Sequence, residues 1–211
     1  MIGFNFARQR MVDTQLRARG ISDARILDAM LRVPRHEFVP EALRAEAYED
    51  HPLPIGDGQT ISQPYVVAVM LELLQLTSTS TVLEIGTGSG YVTALLGELA
   101  AQVFSIERHA DLASNARTIL AALGYANVHI FTGDGTFGLP AHSPFDAIMV
   151  SAAAHEIPSA LLSQLREGGR MIIPVGPPES QQLQFVRMHN GQPLISLRDS
   201  VRFVPLISDH D

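Results

Sequence analysis

The 211-residue chain contains no cysteine. Disulfides, thiolate metal sites and cysteine nucleophiles are thereby excluded, and the composition fits a reducing, cytoplasmic setting. Long hydrophobic runs are also missing. The longest, Val66 to Leu76, is broken by Glu72 and falls short of the ~18 apolar residues of a membrane span. The start, MIGFNFARQR, lacks a basic segment followed by an apolar block, so no secretory leader is expected. Basic residues are outnumbered, 15 against 22 acidic, for a formal net charge of -7. Nucleic acid as a partner is therefore not expected, because phosphate binding needs a basic face. The arginines gather before residue 45, where they read as solvated helix faces. A metal motif is lacking too: His155-Glu156 opens like H-E-x-x-H, but Ser159 stands where the second histidine is required. Ser89 lies among glycines, yet a G-x-S-x-G elbow would need glycine in place of Thr87.

What is present is the composition of a globular protein, 46% hydrophobic and 18% charged, enough for one well-buried core. Residues 5–19 and 22–33 read as helices, with Ser22 as the expected N-cap and Ile26, Leu27, Met30 and Leu31 as an apolar stripe. Pro34 ends the second. A short helix is expected over Glu41 to Tyr48, and another from Pro64 to Leu74, where proline suits the first turn. Met70 reads as core filling. From residue 81 strand-like runs (TVLEIG, QVFSIE, NVHIFTGDG, FDAIMVSAAA, RMIIPVG) alternate with helical ones (VTALLGELA, LASNARTILAALG, SALLSQLREGG). That alternation predicts βαβ units and a parallel sheet covered on both faces. LQFVRM and LISLRDSVRFVPL, parted by an Asn-Gly turn, predict antiparallel strands added at the end. The expected fold is thus a three-layer, doubly wound α/β sheet, mostly parallel, preceded by helices. It forms a single domain of helices and a polar loop (1–78), a ligand-binding core (79–176) and C-terminal strands (177–211).

In TVLEIGTGSGY, Gly86, Gly88 and Gly90 follow a buried strand and open a helix. Such a loop lies at the ligand crevice of doubly wound sheets, and its glycines let the backbone approach a ligand. The dinucleotide fingerprint G-x-G-x-x-G is not matched, since Tyr91 falls at its third glycine. Glu84, two positions before the loop, is poor company for a pyrophosphate and suits a cation such as a sulfonium bearing an amino group. Glu107 ends the next strand, where a carboxylate accepts from two ribose hydroxyls. Asp134, in the run GDG, is placed to accept from an adenine amino group, with Gly135 allowing close approach. These features together resemble the class I S-adenosylmethionine-dependent methyltransferases, over roughly residues 80–176.

Upstream and downstream runs sharpen the likeness. VPRHEFVP, AYEDHPLPIGDGQTISQPYVVAVM, PFDAIMVSAAAHEIP, QLREGGRMIIPVG and VRFVPL resemble the protein-L-isoaspartate O-methyltransferase family from about Gln15 to Leu206, with GQTISQP the most distinctive. The resemblance implies that S-adenosyl-L-methionine is the methyl donor, leaving S-adenosyl-L-homocysteine. It implies that isoaspartyl peptides and proteins are substrates, with no membrane partner, in a monomeric enzyme. It places Ser62 at the active site, orienting the acceptor carboxylate. Thr60, Ile61 and Gln63 beside it, and Thr87, Ser89 and Arg108, fall to the donor, while Val204, Pro205 and Leu206 fall to the substrate. Ser62 as a mere cap of the helix at Pro64 is the plain alternative. Other readings are a methyltransferase for another carboxylate or a small metabolite, a nicotinamide oxidoreductase, and a non-catalytic module keeping the fold.

Overall fold

The computed structural model describes residues 2–208. The N-terminal helix α1 (Ile2–Arg10) runs on as a π-helical stretch, Met11–Leu16, and a 3-10 turn, Arg17–Arg19, ended by left-handed Gly20. The helix expected over 5–19 is therefore present with three pitches. The wide π turn brings Met11, Val12 and Leu16 all into the core. Helix α2 (Ala24–Arg32) is capped by Asp23, not Ser22: Asp23 Oδ1 accepts the Arg25 N–H at 2.9 Å. Ser22 gives its own N–H to Glu72 at 2.9 Å, which holds it outside the helix. The segment expected as a helix over Glu41–Tyr48 is a 3-10 stretch, Glu41–Glu46.

A hairpin follows, β1 (Leu53–Gly56) with β2 (Gln59–Ile61) antiparallel. Its turn uses positive φ at Gly56, Asp57 and Gly58. Helix α3 (Pro64–Leu74) starts and ends where expected, and Met70 is buried on it. The alternating half then unfolds in order: β3 (Thr81–Ile85), α4 (Tyr91–Leu99), β4 (Gln102–Glu107), α5 (Ala110–Ala122), β5 (Val128–Thr132), β6 (Phe145–Val150), α6 (Ser159–Leu162), β7 (Leu165–Val175), β8 (Gln181–His189) and β9 (Gln192–Val201).

These last seven strands form one sheet in the order β5-β4-β3-β6-β7-β8-β9. The first five pair in parallel, and β8 and β9 join antiparallel through the Asn190-Gly191 turn. The order reverses between β3 and β6, so the crevice for a ligand opens beyond their carboxyl ends. Period-two alternation sends Val82, Val103 and Met149 into one buried cluster and Leu83, Ile85, Ile106 and Ile148 into the other. No helix among the described residues is long and apolar enough to cross a membrane.

The helix expected over SALLSQLREGG is a single turn, α6, and LREGG is strand. Leu165 pairs with Phe145, and a bulge then restores register at Arg170 opposite Ala147. Glu167 on this extension accepts the N–H groups of Asn190 and Gly191 at 2.7 and 3.0 Å. Sheet pairing and the anchored hairpin outweigh a helix too short to sustain itself.

Candidate active site

Gly86, Gly88 and Gly90 have φ of 90°, 53° and 91°, values that a Cβ makes costly. The loop closes tightly: Gly86 N–H donates to Ile106 O at 2.8 Å and Gly90 N–H to Thr87 O at 2.8 Å. The glycines do different work. Gly86 and Gly88 face a cavity at the switch point. Gly90 lies outside its lining and is where α4 meets α5, since an added Cβ would sit 3.1 Å from Ala116 Cβ and 3.2 Å from Leu120 Cδ1. A Gly90→Ala variant is expected to lose about 1–3 kcal/mol through strain and crowding. Urea denaturation reads this directly, and an unchanged midpoint contradicts the packing role.

Glu84 lies on the Val82 face of β3, beneath the loop and outside the cavity lining. One carboxyl oxygen accepts from Thr93 Oγ1 and Ser105 Oγ, both at 2.6 Å. Ser105 Oγ also meets Thr87 Oγ1, so the loop rests on a buried chain of hydroxyls. The other oxygen has no partner among the described residues. Burial pushes the pKa of Glu84 up to about 8, so at neutral pH the group is mostly a neutral acid. Desolvation outweighs the two hydroxyl donors in setting that shift.

The cavity itself lies over the carboxyl ends of β3 and β4, where Ile85 and Ile106 form part of its lining. Thr60, Ile61, Thr87, Ser89, Arg108 and Gly135 line it along with Glu107. Glu107 accepts the Gly88 N–H at 2.7 Å and the His109 N–H at 2.9 Å. Asp134 is set behind this wall: its Oδ1 caps the turn at Thr136 N–H, 2.8 Å away. An added Cβ on Gly135 would overlap Ile85 Cγ2, so the close approach that glycine permits there is to β3. Tyr91 forms part of the floor, its ring 4.8 Å from the guanidinium of fully buried Arg35.

Ser62 does not cap α3. The N-cap is Gln63, without a side-chain hydrogen bond to the helix. Asp50 serves instead: Oδ1 accepts the Tyr65 N–H at 3.3 Å, and Oδ2 takes Gln63 Nε2 at 2.8 Å and Arg19 Nη1. The polar stretch is thus held from its flank, with Ser62 among the residues lining the cavities. A second cavity adjoins the first, and Thr60, Ser62, Ser151 and Val204 line both. Gln63 lines only the second; Pro205 and Leu206 line only the first. The backbone of VPL is already paired, Val204 O with Ala153 N–H at 2.8 Å and Leu206 N–H with Ala153 O at 2.7 Å.

Ser151 escaped sequence reasoning. It follows β6 directly, at the order reversal, and its N–H is fixed on Ile85 O at 2.8 Å. The available signal was a lone hydroxyl ending an otherwise apolar strand, legible only once β6 is known to neighbour β3.

The first cavity fits an adenosyl amino acid better than a dinucleotide. The Gly88 amide that would receive a pyrophosphate oxygen is occupied by the Glu107 carboxylate. A carboxylate at the end of β4 repels phosphate and accepts hydroxyls. The nicotinamide reading is set aside on the loop's G-x-G-x-G spacing, which puts Tyr91 at the third dinucleotide glycine. A family model for protein-L-isoaspartate(D-aspartate) O-methyltransferase matches residues 7–211. The protein-L-isoaspartate O-methyltransferase of Koribacter versatilis is 56% identical over 209 residues, 99% of this chain and 94% of that one. Its namesake from Syntrophus aciditrophicus is 62% identical over 180 residues, 85% and 83% of the two chains. A solved protein-L-isoaspartate O-methyltransferase superposes with a TM-score of 0.86 at 30% identity, over 96% of this chain and 66% of that longer one. A β-aspartate methyltransferase structure from Plasmodium falciparum, in complex with S-adenosyl-L-homocysteine, gives 0.82 at 28%, over 95% and 98%. With its glycine loop, its acidic strand end and its full-length match, this chain belongs to the protein-L-isoaspartate(D-aspartate) O-methyltransferase family.

Proposed function

We infer that the chain is an S-adenosylmethionine-dependent enzyme that methylates the free α-carboxylate of L-isoaspartyl residues in damaged proteins and peptides. The observation that carries the arrangement is the wall of Thr60, Ser62, Ser151 and Val204 between two cavities. The donor belongs to the cavity over Gly86 and Gly88, and the acceptor to the other. Glu107 holds the ribose hydroxyls, and Glu84 acts through Ser105 and Thr87 to keep the loop in shape. When bound, the donor supplies an electrophilic methyl group on a cationic sulfur.

The protein's own task is orientation. The isoaspartyl α-carboxylate has a reference pKa of about 3.3–3.7 and is ionised at neutral pH, so no general base is required. Ser62 donates a hydrogen bond to one carboxylate oxygen and leaves the other aligned for transfer. Ser151 supports it from the opposite strand. Alignment of this kind is worth roughly 7–11 kcal/mol in favourable cases. The methyl ester product closes to a succinimide by attack of the next backbone amide, releasing methanol, and hydrolysis returns part of it to normal aspartate. The same reading takes the protein as a single-domain cytoplasmic monomer, which sedimentation and cell fractionation would check.

Labelled methyl transfer to matched peptides tests the reading. Labelling of the isoaspartyl peptide alone is expected. Equal labelling of the aspartyl peptide, or none of either, overturns it and returns the choice to another carboxylate or a non-catalytic module.

A further inference from the structure

Seven of the fifteen arginines of this acidic chain, Arg10, Arg17, Arg19, Arg25, Arg32, Arg44 and Arg166, each reach a carboxylate. Arg202 is exposed and has no ion-pair partner among the described residues. Among the described residues it is also the only formally charged one lining the second cavity, whose other walls are hydroxyl, amide and apolar groups such as Thr60, Gln63, Val66 and Pro178. Its backbone is held on both sides, with Val201 before it paired with Gln181 in the sheet. Gln181 accepts the Phe203 N–H at 2.6 Å and donates to Phe203 O at 3.0 Å, and Val204 O is bonded to Ala153.

We propose that Arg202 reads a second negative charge on the substrate, an acidic side chain flanking the isoaspartyl residue. Placement separates this from the reacting carboxylate. Ser62 and Ser151 line both cavities, whereas Arg202 lines the acceptor cavity alone and is solvent-exposed. The charge it meets therefore lies outward of the transfer point. A net charge of -7 disfavours acidic peptides at long range, so a local unpaired guanidinium offsets that repulsion where the peptide docks. Arginine suits the task because its fork grips a carboxylate in two places. This inference rests on the acceptor cavity being where isoaspartyl peptides bind.

The test uses isoaspartyl peptides identical except for Glu, Gln or Lys at successive flanking positions. At one position the wild type is expected to show a KM for Glu about three- to five-fold below that for Gln, the scale of an exposed ion pair. The advantage should shrink as salt is raised. Arg202→Gln should bring the ratio to one, and Arg202→Glu should turn the preference toward Lys. Affinity for S-adenosylhomocysteine, measured by calorimetry, verifies that each variant is folded. A wild-type ratio of one at every position, or a ratio that survives Arg202→Gln, overturns the assignment. If no isoaspartyl peptide is methylated, the functional reading fails separately, and peptide calorimetry with S-adenosylhomocysteine present still measures the ratio.

Discussion

Replacing Ser62 by alanine is expected to lower turnover of an isoaspartyl peptide about 100-fold. Its affinity for S-adenosylhomocysteine should move only a few-fold. The magnitude follows from what removing one pre-aimed donor to a reacting oxygen costs, on the order of 10²–10³ in rate. The asymmetry follows from position, since Ser62 lines both cavities while Glu107, Gly86 and Gly88 line the first and not the second. Folding should be spared, because the helix cap is supplied by Asp50 through Tyr65 N–H and not by Ser62. A Ser62→Thr variant keeps the hydroxyl and should recover part of the rate. Ser151→Ala should cost less alone, and the double variant less than the product of the two, if both hydroxyls serve one carboxylate. Full turnover in Ser62→Ala with intact product binding would remove the orienting role.

The stability of the protein should carry the titration of Glu84. Below its ordinary pKa of 4.5 the side chain is protonated folded or unfolded, so it makes no difference to pH dependence. From there to about 8 the unfolded chain gives up its proton while the folded protein keeps it. The folded state thus binds more protons, and stability falls as pH rises, by about 1.4 kcal/mol per unit. Above about 8 both states are ionised and the loss levels off, at roughly 4–5 kcal/mol relative to acid pH. Glu84→Gln keeps an acceptor for Ser105 and Thr93 and cannot ionise. Its stability advantage over the wild type should therefore grow between pH 5 and pH 8 and then stay constant. Urea midpoints at acid, neutral and alkaline pH measure it, and a difference independent of pH would mean that the carboxyl is ionised throughout.

Glu84 also marks where sequence reasoning met its limit. Its place two residues before the glycines is plain, and its charge at neutral pH invites a role facing a cation. The strand's alternation turns it to the helix-covered face with Val82, and burial there raises its pKa. Ser22 and the SALLSQLREGG segment are similar cases. Local preference favours a cap in one and a helix in the other, but Glu72 captures the first and pairing with Phe145 draws the second into strand. Asp134 reads as a ligand acceptor, and its Oδ1 also caps the turn at Thr136.

The sequence alone determined the alternation of strands and helices, the left-handed glycine loop and the polar run GQTISQP, because each depends on residues close together in the chain. Period-two and helical patterns, backbone freedom at glycine and the chemistry of short motifs are local properties. Only the tertiary structure decided that Ser62 and Ser151 line the same two cavities, that Asp50 holds the loop from its side, and that Arg202 lines the second cavity. Those pairings span tens of residues or more of chain. They exist because β6 lies beside β3 at the reversal of strand order and Ala153, just beyond it, seats Val204 and Leu206.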